Sequence, residues 1–253
     1  MLTFNEAQIW AWVSPLLWPF LRVLAMLGTM PVIGQRLVPM RLKVAMSFLI
    51  AVVMQPSLPA MPVVALDSSL ALMLVVQQVL IGLSIAFAVR IVFAAVEFAG
   101  EIGGLQMGLN FAGFFDPITR SQSTALSSFF SAMVSWLFIV INGHLLLIVA
   151  VSQSFEAFPV GDAPFAFLKA VRPELWGAEI FSLGLWIALP LIAMLLFTNL
   201  VLGIIARVAQ QMNIFAIGFP LTMSVGLIGV LLTLPLMQMP FTMALERMLG
   251  MFR

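Results

Sequence analysis

The chain has 253 residues, 63% of them hydrophobic and only 8% charged, with a net charge of +1 and no cysteine. That balance belongs to membrane proteins and leaves no basic surface for nucleic acid, so no nucleic acid is expected among the partners. Without cysteine, disulfides, thiolate metal sites and cysteine nucleophiles are excluded.

The expected fold is all-α and polytopic, built of membrane-type helical hairpins with kinked and broken helices. The segment before residue 9 carries Glu6 and no Lys or Arg, so no cleaved secretory leader is expected. A first apolar segment covers about 7–30, a turn follows through Pro31, Gly34 and Pro39, and a second segment covers about 44–54. The turn holds Arg36, Arg41 and Lys43, the clearest basic excess in the chain, and is placed toward the cytoplasm. Pro56, Pro59 and Pro62 repeatedly remove donors and predict an extended connector. Asp67, Ser68 and Ser69 offer short oxygen-bearing side chains for the start of a third helix over about 69–99. A glycine-rich interruption is expected over 100–117, a fourth apolar segment over 121–151, and a more polar connector over 159–173 that serves as the domain boundary. Two further segments, about 178–206 and 215–236, joined by a tight link over 207–213, read as a helical hairpin.

The runs 121–155, 180–206 and 208–245 contain no Asp, Glu, Lys or Arg. Each exceeds the roughly 20 apolar residues needed to cross a bilayer. Pro190, Pro220, Pro235 and Pro240 lie inside or beside them, so bends are expected wherever neighbouring protein can satisfy the freed backbone groups.

Arg90, Glu97 and Glu101 interrupt or border apolar sequence, where an unpaired charge costs at least about 2.5 kcal/mol. If one helix continued far enough, these three would share a face with Gly104 and Gly108, within about 40° of one meridian. Either they line a watery passage or they form ion pairs that lock this helix to neighbouring subunits, and the second reading is preferred. Gly100, Gly104 and Gly108 are spaced by four, which permits close helix approach. Gly103 and Gly113 raise the entropy cost of a helix here, so a flexible loop competes with a tightly packed one. Leu105, Met107, Leu109, Phe111, Phe114 and Phe115 make the same stretch apolar, as a plug would be.

His144 is the only histidine and has no nearby carboxylate in sequence, so it is read as a turn or interface residue. The eighteen methionines, Met237, Met239, Met243 and Met248 among them, supply adaptable apolar volume. No zinc-protease histidine pair, nucleophile elbow or phosphate loop occurs. No catalytic, cofactor-binding or metal-binding residue is therefore assigned, and the chain is not expected to be an enzyme.

Several motifs in order along the chain resemble the FliR family of flagellar export proteins, shared with the T component of virulence type III secretion. They are Arg22 with Pro31-Val32-Ile33-Gly34, Pro39-Met40-Arg41-Leu42-Lys43, Gly100-Glu101 leading to Gly104-Leu105-Gln106-Met107-Gly108, and Asp116-Pro117. The most specific is Met212-Asn213-Ile214-Phe215-Ala216-Ile217-Gly218-Phe219-Pro220, with Arg207 just before it. The resemblance implies a FliP-like portion over 1–173 and a FliQ-like hairpin over 174–253. It further implies one copy joined to five FliP and four FliQ subunits, beside other export-gate membrane proteins. The core would lie in the bacterial inner membrane at the flagellar basal body, raised toward the periplasm, and pass unfolded flagellar proteins. Gly104, Leu105, Met107, Gly108, Leu109, Phe111, Phe114 and Phe115 would then be the pore plug. The alternative is a secondary transporter for a small solute, with Arg90, Glu97 and Glu101 at a broken-helix site.

Overall fold

The structure is a computed structural model and describes residues 6–34, 38–64, 68–109, 124–161, 165–211 and 213–253. Helix α1 (Glu6–Thr29) contains Pro15 and Pro19. These leave the carbonyls of Ala11 and Pro15 without their helical donors, which a membrane helix tolerates when other groups or local adjustment take over. Helix α2 (Met40–Met54) begins directly after Pro39 and packs on α1. Arg41 and Lys43, expected in the turn, thus belong to the first turn of α2, because Pro39 cannot continue a helix but can precede one. The inward stripe of α2 is Lys43, Ser47, Ala51 and Met54. Lys43 Nζ donates to the Gly34 carbonyl at 3.0 Å and so ties α2 to the end of the α1 turn.

The proline-rich connector makes a single 3-10 turn at Gln55–Ser57, is extended at Leu58 and has no regular structure over 59–64. Helix α3 (Ser69–Gln106) is capped by Ser68, whose Oγ accepts from the Ala71 amide at 3.1 Å. It does not stop near residue 99. It passes through Gly100, Gly103 and Gly104 for 38 residues, about 57 Å of rise. Its most apolar stretch is 61% buried, against 22–39% for the other long candidates.

The fourth apolar segment is two helices, α4 (Ala125–Val140) and α5 (Gly143–Ala157), bent by 67° at the break. Asn142 takes the left-handed conformation there, φ 56°, which asparagine accepts more readily than a β-branched residue would. A short helix α6 (Ala166–Val171) and a 3-10 turn (Pro173–Leu175) occupy the polar connector. Helix α7 (Gly177–Val208) and helix α8 (Ile214–Thr233) pack together as the expected hairpin, and a 3-10 turn (Leu234–Met237) leads to α9 (Gln238–Gly250).

Two compact units form, interleaved along the chain: Met1–Arg90, Asn142–Trp176 and Leu245–Arg253 in the first, Ile91–Ile141 and Gly177–Ala244 in the second. In the first, Trp18, Met26, Leu74, Ile81, Ile85 and Phe155 are fully buried. A chain of ring contacts joins Phe87 to Trp176, Trp176 to Phe252 and Phe252 to Phe158, so the C-terminal residues are pinned into that core. In the second, Phe93 lies edge-on to Phe138 and Phe241, and Phe98 to Phe181.

Among the described residues, five helical stretches are long and apolar enough to cross a membrane, or six if the bent α4–α5 pair is one span. Among the described residues there is no strand. Phe197, Leu200, Ile204, Leu231 and Leu232 on the α7–α8 hairpin are exposed on the isolated chain. A continuous apolar surface of this kind suits lipid or protein neighbours and not water.

Candidate functional site

The glycines and carboxylates of α3 meet α4 within the second unit. A Cβ on Gly100 would lie 2.9 Å from Ser127 Cα, one on Gly103 2.6 Å from Leu191 Cδ2, and one on Gly104 2.5 Å from Thr124 Oγ1. These three residues are therefore packing positions of a continuous helix, and the flexible-loop alternative fails for them. Close approach lets Glu101 Oε2 accept from both the amide (3.0 Å) and the hydroxyl (3.2 Å) of Thr124. The same Thr124 hydroxyl accepts from the Ser127 amide at 3.0 Å. Glu101 thus stabilises the start of α4 twice, by filling a free amide and by placing negative charge at a helix N-terminus. One turn earlier, Glu97 Oε1 accepts from Ser131 Oγ at 2.6 Å while Ser127 Oγ donates to the Glu97 carbonyl at 3.1 Å.

Arg90 joins neither carboxylate. It is exposed, two turns and about 10 Å along α3 from Glu97, with no hydrogen bond or ion pair among the described residues. The ion pair that those residues do show, Arg172 with Glu174 at 3.8 Å, is exposed and worth at most about 1 kcal/mol.

Helix α3 is terminated by Gly108, the one glycine among the described residues whose conformation requires glycine, with φ 79°. The Gly108 amide donates to Leu105 O at 3.1 Å and the Leu109 amide to Gly104 O at 3.0 Å, the paired bonds of a Schellman termination. Of the expected plug residues, Gly104 and Leu105 are helical, and Met107 is fully buried where Gly226 of α8 has no side chain to exclude it. Leu105 is exposed. Phe111, Phe114 and Phe115 lie outside the described residues.

In the most specific motif, Asn213 Oδ1 accepts from the Ala216 amide at 3.3 Å and starts α8. Pro220 lies inside that helix, Gly218 gives its carbonyl to Thr222 Oγ1 at 3.0 Å, and Pro220 gives its carbonyl to Ser224 Oγ at 2.8 Å. Arg207, in the last turn of α7, sits where a cation complements the helix dipole. Phe215 lies in the first turn of α8. His144 is half-buried in the first turn of α5. Among the described residues no three His, Asp or Glu converge in a way that could hold a metal ion.

The strongest polar cluster is one that residue-by-residue reading did not reach. Arg22 is fully buried in the first unit, with Nε donating to Gln78 Oε1 (2.8 Å), one terminal nitrogen to Ser154 Oγ (2.7 Å) and the other to the Phe158 carbonyl (3.0 Å). The guanidinium carbon stands 3.6 Å from the centre of the Phe155 ring. Gln78 is in turn held by Gln77, which donates to the Pro159 carbonyl. The available signal was a lone arginine in the middle of the first apolar segment, opposite an adjacent pair of glutamines in an apolar helix.

Continuous long apolar helices, a proline-tolerant hairpin and polar groups satisfied between helices define a polytopic all-α membrane protein. The chain belongs to the bacterial export proteins, family 1, whose model matches residues 13–248. It is 44% identical over 230 residues to the flagellar biosynthetic protein FliR of Escherichia coli K12, covering 90% of this chain and 87% of that protein. The FliR of Pectobacterium carotovorum is 40% identical over 93% of this chain and 90% of its own, and that of Bacillus subtilis 31% over 83% and 82%.

Proposed function

We propose that this protein is a non-enzymatic subunit of the flagellar type III export gate, one copy joining FliP-like and FliQ-like subunits to form the channel for unfolded flagellar proteins. The observation that carries this reading is the match to an export-protein family along almost the whole chain. In it, residues 1–173 act as the FliP-like portion and 174–253 as the FliQ-like part; the self-packed α7–α8 hairpin supports the second, while the compact units are interleaved and do not follow this division. The complex resides in the bacterial inner membrane at the flagellar base. The plug begins at the Schellman turn, with Met107 as its anchored root and Phe111, Phe114 and Phe115 beyond it. Glu97 and Glu101 act in packing α3 on α4, and Arg90 is left for a partner outside the chain.

A solute transporter would need Arg90, Glu97 and Glu101 to converge on one ligand. The carboxylates are occupied by hydroxyls and an amide, and Arg90 is about two turns away, so this reading has less support. The mass of the complex extracted in mild detergent tests the proposal. One copy of this chain with five and four copies of two smaller membrane proteins is expected, and a stable monomer or homodimer would overturn it.

A further inference from the structure

Arg90 stands at one end of a groove of about 330 Å³ in the first unit, lined otherwise by Thr29 of α1 and by Leu80, Leu83, Ser84 and Phe87 of α3. Residues 80, 83, 84, 87 and 90 follow one face of the helix, so the groove runs about 15 Å along α3. It is apolar for most of that length. Phe87 stacks on Trp176 at 5.8 Å, which holds the apolar wall in place without a ligand. Thr29 turns its hydroxyl back onto the Ala25 carbonyl at 2.9 Å, so its donor is spent within α1. The charge at the end, by contrast, has no anion among the described residues.

A cation on a membrane helix is costly unless it finds an anion or reaches the interface. The guanidinium is suited to gripping a phosphate through two parallel hydrogen bonds. We propose that this groove is a binding site for an anionic phospholipid, with its phosphate on Arg90 and one acyl chain along Leu80, Leu83 and Phe87. A protein neighbour would have to bring both a carboxylate for Arg90 and a matching apolar ridge for the stripe below it. A lipid covers both, in keeping with the basic pockets between membrane helices that hold acidic headgroups. The inference rests on the membrane character of the chain and is independent of the export-gate reading.

The test uses the full-length protein in whatever complex detergent extracts, depleted of lipid and then titrated with phosphatidylglycerol or phosphatidylcholine of identical chains. Bound lipid is counted by native mass spectrometry. Wild type should retain one phosphatidylglycerol about tenfold more tightly than phosphatidylcholine, a difference of about 1.4 kcal/mol. Arg90→Gln should lose that preference and Arg90→Lys should keep part of it. Leu83→Trp, which fills the groove and leaves the charge, should lower occupancy by both lipids and supplies the answer if the Arg90 variants fail to accumulate. Equal retention of the two lipids by wild type, or an unchanged lipid count in Leu83→Trp, would overturn the site. So would an Arg90→Gln protein that keeps its lipid preference but sheds neighbouring subunits, since Arg90 would then be facing a protein carboxylate.

Discussion

Arg22 concentrates more interactions than any other polar side chain described. Three donors from one guanidinium reach α3, α5 and the residue just after α5. Removing it leaves Gln78 Oε1, Ser154 Oγ and the Phe158 carbonyl with one partner fewer in a dry interior, at about 1–3 kcal/mol for each group that stays unsatisfied. Arg22→Ala should therefore lower the thermal stability of the detergent-solubilised protein by several kcal/mol. Arg22→Lys should recover little, because an ammonium point charge cannot reproduce the planar fork. A melting curve for Arg22→Lys indistinguishable from wild type would mean that the fork geometry is dispensable. Glu101 is a smaller case. Its partners are a hydroxyl and an amide, not a cation, so Glu101→Ala should cost about 1–3 kcal/mol and Glu101→Gln less, since the amide oxygen can still accept. A larger loss in the assembled complex than in the isolated chain would reveal a second, external partner.

Between helices, the glycines decide how near two backbones come. On an exposed helix Gly→Ala gains up to about 1 kcal/mol from reduced chain entropy. Gly203 of α7, with nothing within 4 Å of a Cβ, should follow that rule. Gly100 should reverse it, because its Cβ would meet backbone of α4, and overpacking of this kind costs about 1–3 kcal/mol. Opposite signs for Gly100→Ala and Gly203→Ala in thermal unfolding are the expected outcome; equal signs would undermine the close α3–α4 contact. The same glycines explain where sequence reading succeeded and where it slipped. Hydropathy and the Ser68 cap place α1, the start of α3 and the α7–α8 hairpin well, because those signals are local. The end of α3 was read too early, since Gly100, Gly103 and Gly104 look like breakers until α4 is present to fill the space they leave. Gly108, the true terminator, is indistinguishable from them in sequence. Similarly, residues 121–151 read as one apolar segment, and the 67° bend at Asn142 escapes local pattern because it depends on tertiary packing. The Arg22 cluster needed residues 56 and 132 positions away, which no local pattern brings together.

At the scale of the whole molecule, the export-gate reading requires a barrier that opens for protein and stays shut to ions. Helix α3 runs to Gln106, and the Schellman turn ends it on a glycine with Met107 buried under Gly226. On the proposed reading, Met107 is the root of the plug and the sealing falls to the apolar residues that follow it in sequence. Closure should then depend on side-chain volume and not on any one hydrogen bond. Replacing Phe111, Phe114 and Phe115 by serine should leave the complex assembled yet leaky to ions, and deleting 110–115 should leak more. Gly108→Ala, which forces a Cβ into a left-handed backbone at about 1–2 kcal/mol, should instead disturb the α3 terminus and shift both stability and leak together. Ion conductance across membranes holding the reconstituted complex separates the two effects. Wild-type tightness in a correctly assembled deletion variant would remove this segment from the seal, leaving Gly108 as a helix terminator and nothing more.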